Sequence, residues 1–227
     1  MNRRILVPTT VLIFGSIAIA MAAQVQTKES QAATTPSRAL ELLREGNARF
    51  VSGKGVARNW KEQVAATAPG QHPYAAVLSC MDSRVPTEIV LDQGIGDVFS
   101  LRVAGNVVDT DVLGSLEYAA KVVGVKLILV LGHSDCGAVK GAIDGVELGN
   151  LTSLLAKIRP AVASAGPAGT SKDKAFVDRV AERNVRLSIQ HIREGSPLVK
   201  EMVDSGKVGL AGAMYDLTTG RVTFSAD

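Results

Sequence analysis

The stretch KLILVLGHSDCG, residues 126–137, decides the fold, because an apolar run in it ends abruptly in a group of polar residues. The run from Lys126 to Leu131 is short and nearly continuous in hydrophobicity, which is typical of a strand buried on both faces of a parallel sheet. Tyr74–Ser79 is a run of the same kind, and Asp97–Leu101 is a third short apolar run. Helical patterns separate the three runs, and this alternation predicts an α/β fold.

Helical patterns account for most of the remaining sequence. Thr35-Pro36 has the N-cap and first-turn signature of a helix, which should run to about Val51 and end before Gly53. Further helices are predicted at Pro86–Leu91, Asp111–Val123, 137–144, 150–163, 173–194 and 197–204. Val208–Asp216 and Arg221–Ser225, joined by a Thr-Thr-Gly turn, predict a hairpin. We therefore expect a mostly parallel β-sheet flanked by helices, with a C-terminal antiparallel hairpin.

Composition supports one compact domain and excludes several classes of protein. The 227 residues are 46% hydrophobic and 21% charged, which is unlike a disordered or collagen-like chain. A formal net charge of +3 is too small to indicate nucleic-acid binding. With two cysteines, the chain is not a disulfide-rich scaffold. We expect a single domain over residues 36–227.

The first 35 residues differ from the rest of the chain. Arg3-Arg4 precedes an uncharged stretch, Ile5–Ala20, which small residues follow, and this order is typical of a secretory signal peptide over residues 1–22. An uncleaved anchor is the alternative. Residues 23–35 are polar and small, as in a flexible linker. These features predict a periplasmic or secreted protein with no stable membrane association after the signal is cleaved.

A polar motif follows each of the three apolar strands. The motifs are CMDSR at residues 80–84, RVAGN at residues 102–106 and GHSDCG at residues 132–137. In open α/β sheets, ligands bind beyond the carboxyl ends of the strands, so the three motifs should converge on one site.

Cys80, His133 and Cys136 together offer two thiolates and one imidazole, a set of ligands suited to Zn²⁺. Three protein ligands leave a fourth position free, as in catalytic zinc sites. Cys136 is placed at a helix N-terminus, where the dipole lowers the pKa of a thiol. Two alternatives stay open: a Cys80–Cys136 disulfide, or two inert buried thiols. The presence of Asp82 and Arg84 at the same strand ends favours zinc.

In order and spacing, these motifs resemble the β-class carbonic anhydrases. The resemblance includes Leu43–Phe50 (LREGNARF) and covers roughly residues 37–225. It implies a zinc ion on Cys80, His133 and Cys136, and a mostly parallel sheet with flanking helices. It also implies an intertwined homodimer, or a higher homo-oligomer, with the site near the interface.

The resemblance gives Asp82 and Arg84 catalytic roles. Arg84 keeps Asp82 ionised, and Asp82 then accepts a proton from zinc-bound water in an open form or becomes the fourth zinc ligand in a closed form. Members with a regulated closed form carry a tryptophan where this chain has Val77. Gln71, nine residues before Cys80, matches a glutamine of members with an open site, where its amide would bind a substrate oxygen; an ordinary loop residue is the alternative. Gly137, at a helix start, offers a backbone N–H to substrate, and a glycine needed for tight packing is the alternative.

The function expected from this reasoning is the reversible hydration of CO₂ to bicarbonate and a proton by zinc-hydroxide attack, which makes the chain a hydro-lyase. Two alternatives remain. The same zinc core could hydrolyse COS or CS₂, or it could be a catalytically silent zinc-binding assembly module. Intact Asp82, Arg84 and Gln71 count against the silent module.

Overall fold

The protein is described by a computed structural model, which covers residues 25–225. A five-stranded sheet in the order β2-β1-β3-β4-β5 forms its centre. The strands are β1 (Ala75–Ser79), β2 (Val98–Arg102), β3 (Leu127–His133), β4 (Gly209–Tyr215) and β5 (Val222–Phe224). The first four run parallel, and β5 pairs antiparallel with β4. The expected fold class, including the C-terminal antiparallel hairpin, is confirmed.

Ten α-helices lie around this sheet in the described residues. They are α1 (Lys28–Ala33), α2 (Pro36–Val51), α3 (Trp60–Thr67), α4 (Thr87–Val90), α5 (Thr110–Glu117), α6 (Gly137–Ile143), α7 (Gly149–Ala156), α8 (Arg159–Ser164), α9 (Lys174–Gly195) and α10 (Pro197–Asp204). A 3₁₀ turn covers Ala104–Asn106, and a π-helical turn, Tyr118–Val123, continues α5. None of these helices is both long and apolar enough to cross a membrane.

Alternating side chains of the strands fill two cores, one on each face of the sheet. Val77 and Leu129 pack on the face that α2 covers, while Leu78 and Ile128 pack on the face that α5, α9 and α10 cover. All four side chains have no solvent exposure. Burial on both faces explains why the strands are continuously apolar in the sequence.

Residues 23–35 are not a flexible linker throughout, so that prediction is wrong for α1. Thr27 caps this helix in a reciprocal capping box with Ser30. Gln31 is buried, and its amide donates to the carbonyl oxygens of Pro73 (2.7 Å) and Val123 (3.2 Å). The segment is held because these hydrogen bonds satisfy a buried amide. The predicted signal peptide lies outside the described residues.

One helix prediction is wrong, and one further helix is absent from the predictions. The single helix expected over residues 150–163 is divided into α7 and α8, because Pro160 has no N–H to donate and its ring clashes with the carbonyl of the preceding turn. Helix α3 was not predicted. Asn59 caps it by accepting a hydrogen bond from the backbone N–H of Glu62 (3.3 Å), so its start signal was present in the sequence.

Candidate metal centre and active site

The polar motifs converge because the first three strands in the sheet order end side by side. Ser79, the last residue of β1, is in register with Arg102, the last residue of β2, and with Leu131 of β3. Cys80 therefore leaves the sheet between the other two motifs. The backbone N–H of Gly105 donates to Cys80 Sγ at 3.3 Å, which joins the second motif to the first.

Cys80, His133 and Cys136 form one compact group of metal-ligand atoms, which lie within 4.8 Å of one another. All three residues are buried, and neither cysteine is in a disulfide. The disulfide alternative is therefore not what the structure shows. Cys80 and Cys136 also belong to an apolar cluster with Val107 and Ile158, so one wall of the site is dry.

The imidazole of His133 is oriented as a metal ligand. Its Nδ1 lies 2.8 Å from the carbonyl oxygen of Ser134, and because a carbonyl only accepts, Nδ1 carries the proton. Nε2 then presents its lone pair, yet it is buried and has no hydrogen-bond partner among the described residues. A buried nitrogen lone pair facing two free thiols fits Zn²⁺ and disfavours inert buried thiols.

The two thiols and the imidazole influence one another's pKa values. The neighbouring thiol of Cys136, and to a lesser extent the imidazole of His133, favour the thiolate of Cys80 and lower its pKa. Donation to Cys80 raises the pKa of Cys136, although backbone N–H groups of α6 favour its thiolate. The predicted effect of the helix terminus is thus present but outweighed. Burial lowers the pKa of His133, but the nearby Cys80 thiolate favours the imidazolium more strongly, so the pKa of His133 is raised overall.

Asp82 is held beside the metal-ligand group by Arg84. Its Oδ1 accepts from Arg84 Nε (3.0 Å) and from the Arg84 backbone N–H (2.9 Å), and its Oδ2 accepts from Nη2 (2.8 Å). These hydrogen bonds lower the pKa of Asp82 to about 2. Oδ2 lies 3.9 Å from His133 Nε2. Asp82 therefore faces the centre as an ionised carboxylate that lies outside the group of three ligand atoms, which is the position expected for the open form.

Arg102 holds the backbone of the first motif. Its Nε donates to the carbonyl of Cys80 (3.2 Å), and its Nη2 donates to the carbonyl of Asp82 (2.6 Å). The sequence places Arg102 near the site but does not reveal that its targets are main-chain oxygens.

Two residues of α9 that sequence reasoning missed support the second motif. Asn184 donates to the carbonyl of Gly105 (2.7 Å), and Ser188 donates to the carbonyl of Asn106 (3.0 Å). Both side chains are buried on the otherwise apolar face of the helix. Polar residues four apart on such a face are the signal that would have identified them.

Asp135 lies immediately before Cys136, the N-cap residue of α6. Its backbone is left-handed, with φ +55°, and lies before the first turn of α6. Its carboxylate pairs with Lys140, which lowers its pKa, and lies 3.8 Å from Arg84 Nη1.

The two expected substrate-binding residues lie in different places. Gly137 is the first residue of α6, beside Cys136, with open space where a side chain would stand. Gln71 is exposed and precedes the amino end of β1. The five residues of β1 separate it from Cys80, a span of about 16 Å at roughly 3.3 Å per residue. One chain thus does not bring Gln71 to its own site.

Comparison with known proteins agrees with this geometry. The family model described as carbonic anhydrase matches residues 75–222, which include all three motifs. The chain belongs to the β-class carbonic anhydrases. It is 38% identical over 194 residues to carbonic anhydrase 2 of Mycobacterium tuberculosis, covering 83% of this chain and 92% of that protein. It is 36% identical over 195 residues to a carbonic anhydrase of Mycolicibacterium smegmatis, covering 83% and 93%.

Solved structures show the same fold. A β-carbonic anhydrase of Aspergillus fumigatus matches with a TM-score of 0.67 at 27% identity, covering 84% of this chain and 91% of that one. One of two tetrameric β-carbonic anhydrases of Sordaria macrospora matches with a TM-score of 0.66 at 28% identity, covering 72% and 85%. The Cys-His-Cys group of this carbonic anhydrase is thus the zinc-compatible site of a lyase-type enzyme family.

Proposed function

We propose that this chain catalyses the reversible hydration of CO₂ to bicarbonate and a proton, with Zn²⁺ held by Cys80, His133 and Cys136. One observation carries the proposal: the unpartnered Nε2 of His133 faces two free thiols, and an ionised Asp82 lies 3.9 Å from it. A structural zinc site would be closed by a fourth strong ligand, whereas here Arg84 holds the nearest carboxylate away.

When bound, Zn²⁺ supplies the Lewis acidity that ionises water near neutral pH. The chain supplies the proton acceptor. Asp82 Oδ1 already accepts two hydrogen bonds from Arg84, while Oδ2 accepts one and faces the centre. Oδ2 is therefore the atom with capacity to take a proton. The apolar wall formed with Val107 and Ile158 limits water on the other side, which suits a small apolar substrate.

Stopped-flow CO₂ hydration by the zinc-loaded chain tests this proposal, with COS and CS₂ assayed beside it. We expect turnover with CO₂ that depends on bound zinc and is abolished in Cys80→Ala. Turnover of COS or CS₂ without CO₂ hydration would replace the proposal with the hydrolase. No turnover of any of the three by protein with one zinc per chain would leave a silent zinc module.

We further propose that the chain works as a homodimer or a higher homo-oligomer. Among residues 25–225, strand β2 is an edge strand with no neighbour on one side, and it carries Phe99 beside the exposed ring of Tyr118. Because Gln71 lies too far from its own site, its predicted substrate contact requires a second copy. Sedimentation equilibrium should give at least twice the chain mass, and a monomer with full activity would contradict this proposal.

Export to the periplasm or outside the cell is also proposed, from the basic start, the uncharged stretch and the small residues of positions 1–22. Intact-mass analysis of the native protein should find a chain that begins near Ala23. A full-length chain recovered from the cytoplasm would contradict export.

A further inference from the structure

Arg84 faces two carboxylates, of which the proposed mechanism uses one. Its Nε and Nη2 donate to Asp82, while its Nη1 lies 3.8 Å from Oδ2 of Asp135. The other oxygen of Asp135 pairs with Lys140 of α6. The guanidinium of Arg84 thus lies between two anions, and a lysine shares the second one.

The position of Asp135 is fixed by its backbone. Its φ of +55° lies in the left-handed region, which aspartate and asparagine tolerate better than most residues. Its backbone N–H donates to Asp178 of α9 at 3.2 Å, and Asp178 is itself paired with Lys174. Because a loop and a helix fix its backbone, Asp135 can restrain the longer side chain of Arg84.

We infer that Asp135 is a positioning residue, which keeps Arg84 on Asp82, and that Lys140 weakens this hold by sharing the Asp135 carboxylate. The Arg84 side chain is 53% exposed, and the ion pairs that it makes among the described residues are with Asp82 and Asp135, so it has few other restraints. The expected effect on turnover rests on the proposed function, in which Asp82 accepts a proton. The restraint of Arg84 by Asp135 does not depend on that function.

Hydrogen exchange of the Arg84 Nε–H, followed by ¹⁵N NMR on the zinc-loaded protein, measures this hold. Its rate is proportional to the fraction of time that Arg84 is off Asp82, so a shift is visible even when that fraction is small. Arg84→Lys identifies the signal. We expect Asp135→Asn, which suits the left-handed backbone, to exchange about two- to five-fold faster, within the range of an exposed ion pair.

Lys140→Gln should act in the opposite direction, slowing exchange by about two-fold, because Asp135 then faces Arg84 alone. Asp204→Asn is the matched control. Asp204 also pairs with one arginine and one lysine, Arg193 and Lys200, and its side chain is 38% exposed against 43% for Asp135. This control should leave Arg84 exchange unchanged.

Three results would overturn the inference. They are equal exchange rates in Asp135→Asn and wild type, shifts of the same sign in Asp135→Asn and Lys140→Gln, and an unprotected Arg84 Nε–H in the wild type. The exchange measurement needs no CO₂, so it is independent of the proposed function. If exchange is faster in Asp135→Asn and slower in Lys140→Gln but the chain does not hydrate CO₂, the positioning role stands and the proposed function is rejected. If the chain hydrates CO₂ but neither variant changes exchange, the proposed function stands and the positioning role is rejected. In active enzyme, kcat of Asp135→Asn should fall no more than about five-fold.

Discussion

Two aspartates of this chain are each paired with arginine, yet they serve different ends. Asp92, at the end of α4, accepts from Arg58 and Arg49, and from the backbone N–H of Val56 with both carboxylate oxygens (3.3 Å). Its backbone carbonyl also accepts from Arg58 (2.5 Å). The carboxylate of Asp82 accepts from Arg84 alone among the described arginines, although its backbone carbonyl accepts from Arg102, and its Oδ2 still faces the metal centre.

The difference lies in burial and in unused hydrogen-bonding capacity. Arg58 is 10% exposed, whereas Arg84 is 53% exposed. Burial raises the pKa of Asp92, but hydrogen bonds from the two arginines outweigh it and lower the pKa overall. Asp92 thus ties α2 and the loop at residues 52–59 to the end of α4. A saturated, buried pair stabilises structure, while a pair with a free oxygen at a cleft is available for chemistry.

The largest expected effect tests whether the Asp82 region is a metal centre at all. Cys136→Ala should lose bound zinc and at least about 10²-fold of CO₂ hydration together, because only two strong ligands remain. Metal analysis and stopped-flow assays measure both. His72→Gln, a change outside the motifs, is the control and should keep one zinc per chain. Full zinc content in Cys136→Ala would remove Cys136 from the site.

Replacing Asp92 is expected to destabilise the protein more than replacing Asp82. Asp92→Asn should lower the free energy of unfolding by about 3 kcal/mol, because Arg58, which is largely buried, and Arg49, which is partly buried, lose the charge that compensates them. Asp82→Asn should lower it by less than about 1 kcal/mol, because Arg84 is largely exposed. Urea unfolding of both variants measures the difference. Equal losses would mean that the pairs are not distinct in kind.

Low pH should reduce the stability of the protein by protonating the carboxyls of Asp82 and Asp92. Both carboxyls have folded-state pKa values below the ordinary 3.8, so their stabilising effect is full above about pH 4 and is lost as pH falls, for Asp82 toward about pH 2. Unfolding free energies measured from pH 5 to 2 should therefore fall less in Asp92→Asn than in the wild type. An unchanged pH slope in Asp92→Asn would show that its pKa is not lowered in the folded protein.

Much of the fold was predictable because the decisive signals are local. The Thr35-Pro36 cap predicted the start of α2, and its predicted end at Val51 is also observed. Continuous apolar runs predicted the parallel strands within one or two residues. The convergence of Cys80, His133 and Cys136 followed from strand direction alone, because carboxyl ends of parallel strands share one edge.

The unpredicted parts depend on contacts that are distant in sequence. Nothing near Gln31 shows that its amide will reach Pro73 and Val123, so α1 looks like a linker. The spacing of Gln71 from Cys80 matches the family but does not show that β1 carries the two apart. Asp92 has no motif, and its role needs Arg49 and Arg58, which lie more than thirty residues away.

The most direct test of the contrast is turnover per bound zinc in Asp82→Asn and Asp92→Asn, measured by stopped-flow CO₂ hydration on folded, metal-analysed protein. We predict that Asp82→Asn keeps its zinc and loses up to about 10²–10⁴-fold in kcat, the range of general-base assistance. Asp92→Asn should stay within about three-fold of the wild type, since it touches no group of the site. Equal losses in the two variants, or full turnover in Asp82→Asn, would contradict the proposed division between a catalytic and a structural aspartate.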